Sequence, residues 1–334
     1  MIAPRMKIGI VIDPVHNIKP KKDSSLALML AAQADGAEIF VVEQDELFIE
    51  NGSAWGHMQK IEVFDRASDW CRLDDKKTMK LSCLDLVFMR KDPPVDKRFI
   101  HTTYVLDQAA AEGVSVVNPP HTLRDFNEKI FAAHFPEFSP PYTIGADFGI
   151  FKEFLDLHGK IIMKPLDGMG GDGVFMIEKG DVNFDVIWET LTQRGRYPVI
   201  AQRFIEDISA GDKRIIIIDG EAFPYMLVRM PAKGSIRGNL AVSGAYDVRC
   251  LSEKDHAISE AVGKKLKSEN ILFAGIDIIG EYLTEVNITS PTGLREIARE
   301  SGADPAVLLW QKAVALRLRD CDNTPRDTTS RTVA

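Results

Sequence analysis

Four short runs near the start of the chain are apolar at almost every position: KIGIVID (7–13), EIFVVE (38–43), LDLVFMR (84–90) and VSVVN (114–118). Continuous apolarity, in place of alternation, predicts strands covered on both faces, as in a parallel sheet flanked by helices. Between the first two, DSSLALMLAAQADG predicts a helix with Asp23 or Ser24 as N-cap and Gly36 as its stop. A second helix is expected over residues 97–112, ending at Gly113, and Asn51-Gly52 within FIENGSAW is a hairpin signal. This half of the chain reads as an open, mostly parallel α/β domain.

The pattern breaks at NPPHTL (118–123). Asp125 and Glu128 have capping-box spacing ahead of KIFAAHF and predict a short helix there. From Pro140 onward strand patterns become neighbours, 161–164 with 173–178 and 213–219 with 221–230, and helices are expected near 147–158, 183–194 and 252–268. Adjacent strands joined by glycine-rich turns predict an α+β unit with antiparallel sheets. The polar residues from about Asp320 to the end are expected to be disordered.

Composition narrows the chemistry. A net charge of -8 disfavours a general nucleic-acid binder. No apolar run reaches the ~20 residues of a membrane span, and MIAPRMKIGIVID enters a strand without a signal-peptide core, so a cytoplasmic protein is expected. The 4 cysteines (Cys71, Cys83, Cys250, Cys321) form no C-x-x-C pair and are read as free thiols. The 7 histidines are dispersed, so neither a zinc site nor a Ser-His-Asp or Cys-His mechanism is visible.

KPLDGMGGDGVF (164–175) contains a literal G-x-G-x-x-G at Gly168, Gly170 and Gly173. A dinucleotide site needs a helix to open on the last glycine, whereas VFMIEK reads as a strand. Strand, glycine loop, strand describes a hairpin whose backbone N–H groups can close over phosphates, with Lys164 at its root. No G-K-[ST] follows, which excludes a Walker A loop. In GIDIIGEYLTEVNIT (275–289), a three-residue connection at Gly280–Tyr282 is expected to set Asp277 opposite Glu285, with Asn287 on the same face. Opposed carboxylates repel, and a divalent cation such as Mg²⁺ is the expected compensation. Lys213-Arg214, Arg229 and Arg237 suit an anionic ligand, and PAKGSIRGNLAVSGA (231–245), without periodicity, reads as a lid loop. The loops DPVHNIKPKKDSS (13–25) and RKDPP (90–94) leave the carboxyl ends of strands, where α/β sheets bind ligands, and Lys21, Lys22, Arg90 and Lys91 are expected to give that crevice a positive rim. Together these features predict ATP-dependent phosphoryl transfer.

KPLDGMGG, GDKRIIIIDGE, RGNLA, GIDIIG and TEVNITSPTG, with DPVHNIKPKKDSS, MRKDPP and LRDFNEKIFAA, resemble the prokaryotic-type glutathione synthetases of the ATP-grasp superfamily, from about Met6 to Arg319. The resemblance implies an ATP-grasp fold behind an N-terminal open parallel α/β domain. The boundaries it implies are 1–122 for a substrate-binding domain, 123–200 for a central lid subdomain, 201–319 for a C-terminal subdomain with the metal site, and 320–334 for the tail. It implies ligation of γ-glutamylcysteine and glycine through an acyl phosphate, with ATP as co-substrate and Mg²⁺ or Mn²⁺ as cofactor, in a homotetramer that binds neither nucleic acid nor membrane.

Carried over by residue, the resemblance assigns Lys129, Lys164, Gly168, Met169, Gly170 and Gly171 to the ATP phosphates and small lid, and Gln202, Phe204 and Ile205 to the adenine edge. Asp277, Glu285 and Asn287 become the metal ligands, and Arg214, Arg229 and Arg237 the catalytic arginines. Those arginines, with Lys22, Asp23, Ser24, Arg90 and Gly244, would bind the dipeptide. Val242-Ser243-Gly244-Ala245 departs from the family pattern, in which a glycine pair and a basic residue follow Asn-Leu-Ala, and one lid–phosphate contact is lost there. A related ligase of the D-alanine–D-alanine type would share the nucleotide and metal motifs, but the first-domain loops favour glutathione synthetase. A non-catalytic nucleotide-binding scaffold is disfavoured because Asp277, Glu285, Asn287 and Arg214 are all present.

Overall fold

A computed structural model describes residues 5–168, 170–232 and 245–323. The first sheet has eight strands: β1 (Lys7–Val11), β2 (Glu38–Val42), β3 (Leu47–Glu50), β4 (Ser53–Val63), β5 (Cys71–Leu73), β6 (Lys77–Lys80), β7 (Leu86–Met89) and β8 (Ser115–Val117). The four apolar runs are β1, β2, β7 and β8, and they pair in parallel as expected of strands buried on both faces. The sheet as a whole is not mostly parallel. β4 pairs antiparallel with β2, β3, β5 and β6, so half of the strands form a meander that the apolar pattern does not reveal. The inward positions of β4 include Ala54 and Gly56, too small to mark a period of two. The β3–β4 turn has Asn51 and Gly52 at φ 48° and 75°, the left-handed pair that Asn-Gly favours.

Helix α1 (Ser24–Ala34) is capped by Asp23, whose carboxylate accepts from the Leu26 N–H, and α2 covers Lys97–Ala111. Two short helices, α3 (Pro120–Asp125) and α4 (Glu128–Ala132), follow. The expected capping box is absent: Asn127 caps α4 and accepts from the N–H groups of Lys129 and Ile130. Asp125 ends α3, and Glu128 turns its carboxylate to the Lys129 ammonium.

The second sheet runs β11 (Phe175–Glu178), β10 (Lys160–Pro165), β12 (Val199–Arg203), β9 (Tyr142–Gly145), all antiparallel, with α5 (Phe148–His158) and α6 (Phe184–Thr192) packed on it. The third contains β13 (Asp212–Ile218), β14 (Glu221–Arg229), β15 (Tyr246–Cys250), β16 (Phe273–Ile279) and β17 (Tyr282–Asn287), also antiparallel, backed by α7 (Glu253–Ser268). Two helices that the sequence reading did not assign follow, α8 (Leu294–Ser301) and α9 (Pro305–Asn323). Helix α9 buries Ala306, Leu309, Trp310 and Ala313, one helical face, against α1 and the first sheet. It continues through Asp320 to Asn323, so these four residues are helical where disorder is expected from the sequence, and residues 324–334 lie outside the described residues.

The first and third sheets share their cores, with Ile8, Ile10 and Leu28 in one cluster with Ile216, Ile218 and Trp310. Asn118, at the end of β8, pins the two together. Its buried amide donates to the carbonyls of Phe273 and Ile288, and its Oδ1 accepts from the N–H groups of Leu272 and Phe273. Asn118→Ala strands these four backbone groups in the interior and is expected to cost on the order of 4 kcal/mol, measured by chemical denaturation against wild type.

Candidate functional site

The site grows from the register of the third sheet. Arg214 on β13 lies directly opposite Asp277 on β16, Asp277 lies opposite Glu285 on β17, and Asp212 lies opposite Arg229 on β14. Opposed residues share a face, so five charged side chains form one row. Arg214 holds Asp277 in a fork, Nε to Oδ1 at 2.5 Å and Nη2 to Oδ2 at 2.8 Å. Arg229 donates to Asp212 Oδ2 at 2.5 Å and lies 2.9 Å from Asp277 Oδ1. Asn287 donates to Asp277 Oδ2 at 3.3 Å, and Lys164 arrives from β10 to meet Glu285 Oε1 at 2.9 Å. A Cβ at Gly275 would lie 3.0 Å from Arg214 Cδ, so the bare backbone there makes room for the guanidinium.

The expected Asp277–Glu285 pairing is present, by a different route. The hairpin turn is Gly280-Glu281, with Ile279 opposite Tyr282, and a bulge between Ile278 and Asp277, in which Thr284 is the extra residue on β17, restores the register by one residue.

The shared environment splits the carboxylates. Burial pushes Asp277 up, but Arg214 and Arg229 outweigh it and hold the group at about 2. At Asp212 burial prevails over Arg229, and the carboxyl stands at about 6. Desolvation acts on the half-buried Glu285 too, yet Lys164 and Lys129 bring it below the ordinary range. Glu128 is raised, first by burial and then by the Glu285 charge. Burial opposes the Lys129 charge, but Glu285 and Glu128 overcome it and raise its pKa.

This row floors a cleft of about 540 Å³ between the second and third sheets. Lys129, Lys164, Gly168, Gly170, Gly171, Gln202, Phe204, Ile205, Arg214, Arg229, Asp277, Glu285 and Asn287 all line it, as do Lys22 and Asp23 from the first domain. Ser24 and Arg90 line an adjoining cavity of about 320 Å³ that shares Asp23, Asp92 and Ser290 with the cleft. Arg90 is not part of an open positive rim. It is 5% exposed and donates to Ser25 Oγ and the Pro291 carbonyl, while Lys91 pairs with Asp13. Met169, Arg237 and Gly244, and most of the 231–245 segment, lie outside the described residues.

The glycine loop joins β10 to the antiparallel β11, so its setting is a hairpin. Lys129 reaches it from α4, donating to Gly168 O at 2.6 Å and Leu166 O at 3.3 Å.

One inference from the sequence needs correction. The facing carboxylates do not need a metal to balance them, because Arg214, Arg229 and Lys164 supply the positive charge. Among the described residues no group of three or more His, Cys, Asp or Glu is assembled as a metal cage. The donor set does fit a hard cation shared with phosphates: Asp277, Glu285 and Asn287 offer oxygens on one face, and Mg²⁺ needs only one or two protein carboxylates beside phosphate and water.

Comparison with known proteins fits this geometry. The family model for the prokaryotic glutathione synthetase N-terminal domain matches residues 6–124, and that for the ATP-grasp domain of the same enzymes matches 128–302. The chain belongs to the prokaryotic glutathione synthetase family. It is 49% identical over 292 residues to the glutathione synthetase of Pseudomonas aeruginosa, covering 87% of this chain and 92% of that one. Among solved structures, the D-cycloserine synthetase DcsG is similar with a TM-score of 0.66 at 14% identity, covering 94% of this chain and 99% of that one. The ATP-grasp ligase PsnB, solved with a minimal precursor, Mg and ADP, has a TM-score of 0.59 at 17% identity, covering 93% and 97%. The fold is thus the ATP-grasp fold named by the family model, and these two structures share its architecture.

Seven charged residues of the cleft were not assigned to it from the sequence: Lys19, Asp92, Glu128, Asp172, Arg203, Asp212 and Glu296. Asp212 was within reach, since it stands two residues before Arg214 on one strand and so shares its face.

Asp277→Asn leaves two buried arginines without their shared anion and is expected to cost about 3–5 kcal/mol near neutral pH, measured by denaturant titration. Because the folded pKa of about 2 lies below the ordinary 3.8, the stabilisation by Asp277 is complete above about pH 4 and lost as pH falls toward 2. The variant's stability should accordingly fall less steeply than that of wild type in this window. Asp212, raised to about 6, gives the opposite slope: its ionisation costs stability as pH rises from about 4 to 6.

Proposed function

We propose that this chain is an ATP-dependent carboxylate–amine ligase that joins γ-glutamylcysteine to glycine, giving glutathione, ADP and phosphate through an acyl phosphate. The observation that carries the reading is the family match across both halves of the chain, joined to a cleft that gathers Lys129, Lys164, Arg214 and Arg229 around carboxylates in register.

The residue roles follow from the chemistry each step needs. A substrate carboxylate attacking a γ-phosphate brings two anions together; Arg214 and Arg229 line the cleft where they can offset that repulsion, and family likeness adds Arg237 to them. Lys129, Lys164 and the loop from Gly168 through Met169 to Gly170 and Gly171 take the phosphates, while Gln202, Phe204 and Ile205 border the adenine. Asp277, Glu285 and Asn287 hold Mg²⁺ or Mn²⁺. When bound, such an ion would supply charge neutralisation at the phosphates. Lys164 and Glu285 compensate one another within the protein, and a triphosphate and a divalent cation would each compete for one partner of that pair. Lys22, Asp23, Ser24 and Arg90, with Gly244 of the lid, hold the dipeptide. No side chain serves as a covalent nucleophile, and a closing loop over 231–245 protects the acyl phosphate from water.

The reading includes the division at 122/123 and 200/201, and it extends by family likeness to a cytoplasmic homotetramer. Among the described residues no helix is long and apolar enough to cross a membrane.

Incubation with ATP, Mg²⁺, γ-glutamylcysteine and glycine should yield the tripeptide, ADP and phosphate in equal amounts. Mass spectrometry that finds no tripeptide, while another acid–amine pair is joined, refutes the substrate assignment. Glu285→Gln should lower kcat at least about 100-fold with the fold retained by circular dichroism. Full activity of that variant at saturating Mg²⁺ removes Glu285 from the cation site.

A further inference from the structure

The dipeptide of the proposed reaction reacts at its cysteinyl carboxylate, yet its glutamyl end carries an α-ammonium and an α-carboxylate that must also enter the cleft. Glu296, in the first turn of α8, is a cleft-lining carboxylate with no role in the scheme above. It stands against the first-domain loop: the Leu294 N–H donates to Ser24 Oγ at 3.3 Å, and Arg299 donates to Lys21 O at 2.8 Å.

Glu296 is 4% exposed, and its Oε2 has no hydrogen-bond partner. The nearby arginines are engaged elsewhere, Arg295 with Asp65 and Arg299 with Lys21 O and Tyr246 Oη. Lys22 is the remaining cation in its field. A buried carboxylate oxygen without a donor is costly, and native proteins retain such atoms where a ligand completes them. The matching ligand group is a cationic N–H donor. Glycine is a poor candidate, because its amine must be free of the extra proton to attack the acyl phosphate. The glutamyl α-ammonium takes no part in the reaction and can stay charged throughout.

We propose that Glu296 recognises the α-ammonium of the γ-glutamyl group, with Lys22 beside it for the α-carboxylate, so that this wall of the cleft selects the non-reacting end of the acid substrate. The inference rests on the ligase activity proposed above. Contacts to a remote, unreactive part of a substrate can be used to place its reacting carboxylate, so the selection should appear in kcat/KM.

The alternative is that Glu296 only steadies the first turn of α8, in which case its replacement affects every acid substrate alike. The experiment compares γ-glutamylcysteine with glutaryl-cysteine, the same acid without the amino group, on wild type, Glu296→Gln and Glu296→Asp. Wild type should show kcat/KM about 10- to 100-fold lower for glutaryl-cysteine, the worth of one charge-assisted hydrogen bond. Glu296→Gln should lose about that factor on γ-glutamylcysteine and less than about threefold on glutaryl-cysteine, with partial recovery in Glu296→Asp. Equal losses on both acids overturn the assignment. So does a wild type that treats the two acids within about threefold, a result that needs no variant to fold. A wild type that ligates neither acid, while joining another pair, overturns the activity itself and is thereby distinguished from failure of the ammonium site.

Discussion

Arg214 and Asp277 face one another across β13 and β16, both buried, and the rest of the site takes its position from that fork. Removing two charges from water costs several kcal/mol per ion, and attraction recovers this only with good geometry and further hydrogen bonds. The sheet provides both. Arg229 and Asn287 add donors to Asp277, Asp212 answers Arg229, and the absence of a side chain at Gly275 makes room for the guanidinium. Lysine could not stand in for Arg214, since a point charge cannot span both oxygens of the carboxylate. The row is therefore a single electrostatic unit in which each charge sets the protonation of its neighbour. That coupling explains why Asp277 stays ionised while Asp212, on the same face, is held near 6.

The fork also organises structure beyond its own sheet. Pro291 and Thr292 follow β17, and this loop is gripped from the first domain: Arg90 donates to the Pro291 carbonyl, and Ser290 Oγ donates to the Arg90 carbonyl. Asn118 binds the strand ends just beneath, at Phe273 and Ile288. The first domain is thus fastened to the sheet that carries the charge row, with its ligand-side loops facing the cleft. From the other side, Lys164 reaches Glu285 and Lys129 holds the glycine loop by two carbonyls. Glu128, Lys129, Lys164 and Glu285 together carry no net charge. An entering polyanion changes that balance at the two lysines, which bear on both the glycine loop and the carboxylate row.

What the sequence reveals depends on how local each signal is. The parallel strands were legible because burial on both faces leaves almost no polar position in KIGIVID or LDLVFMR. β4 was not, because the small Ala54 and Gly56 stand at its inward positions and the polar His57, Gln59 and Lys60 follow them, leaving no continuous apolar run. The Asp277–Glu285 register emerged from a three-residue turn, whereas the protein combines a two-residue turn with a bulge, two local errors that cancel. Letters cannot show which cations neutralise a carboxylate when the partners are 63 and 121 residues away, as Arg214 is from Asp277 and Lys164 from Glu285. Glu296 was hidden for a similar reason. In LREIARE it looks like any acid in a first helical turn, and only packing against the first domain buries it.

The glycine loop shows how one set of letters can serve two physical ends. In a dinucleotide site the last glycine of G-x-G-x-x-G lets a helix pack closely on a strand. Here a Cβ at Gly168 would come within 2.7 Å of Pro165 Cγ and 3.1 Å of the Asp172 carbonyl, so that glycine permits the loop to fold back on its own root. Gly170, Gly171 and Gly173 have φ of 65°, 86° and 69°, a left-handed path that turns the chain from β10 toward its antiparallel partner β11. The third glycine is thus required by the return of a hairpin, and no helix opens on it. Lys129 fastens this same turn through Gly168 O, which makes the loop's position depend on the charge balance at Glu128 and Glu285. The lid and the carboxylate row are in this sense one device, joined through a lysine whose neighbourhood in the sequence gives no hint of it.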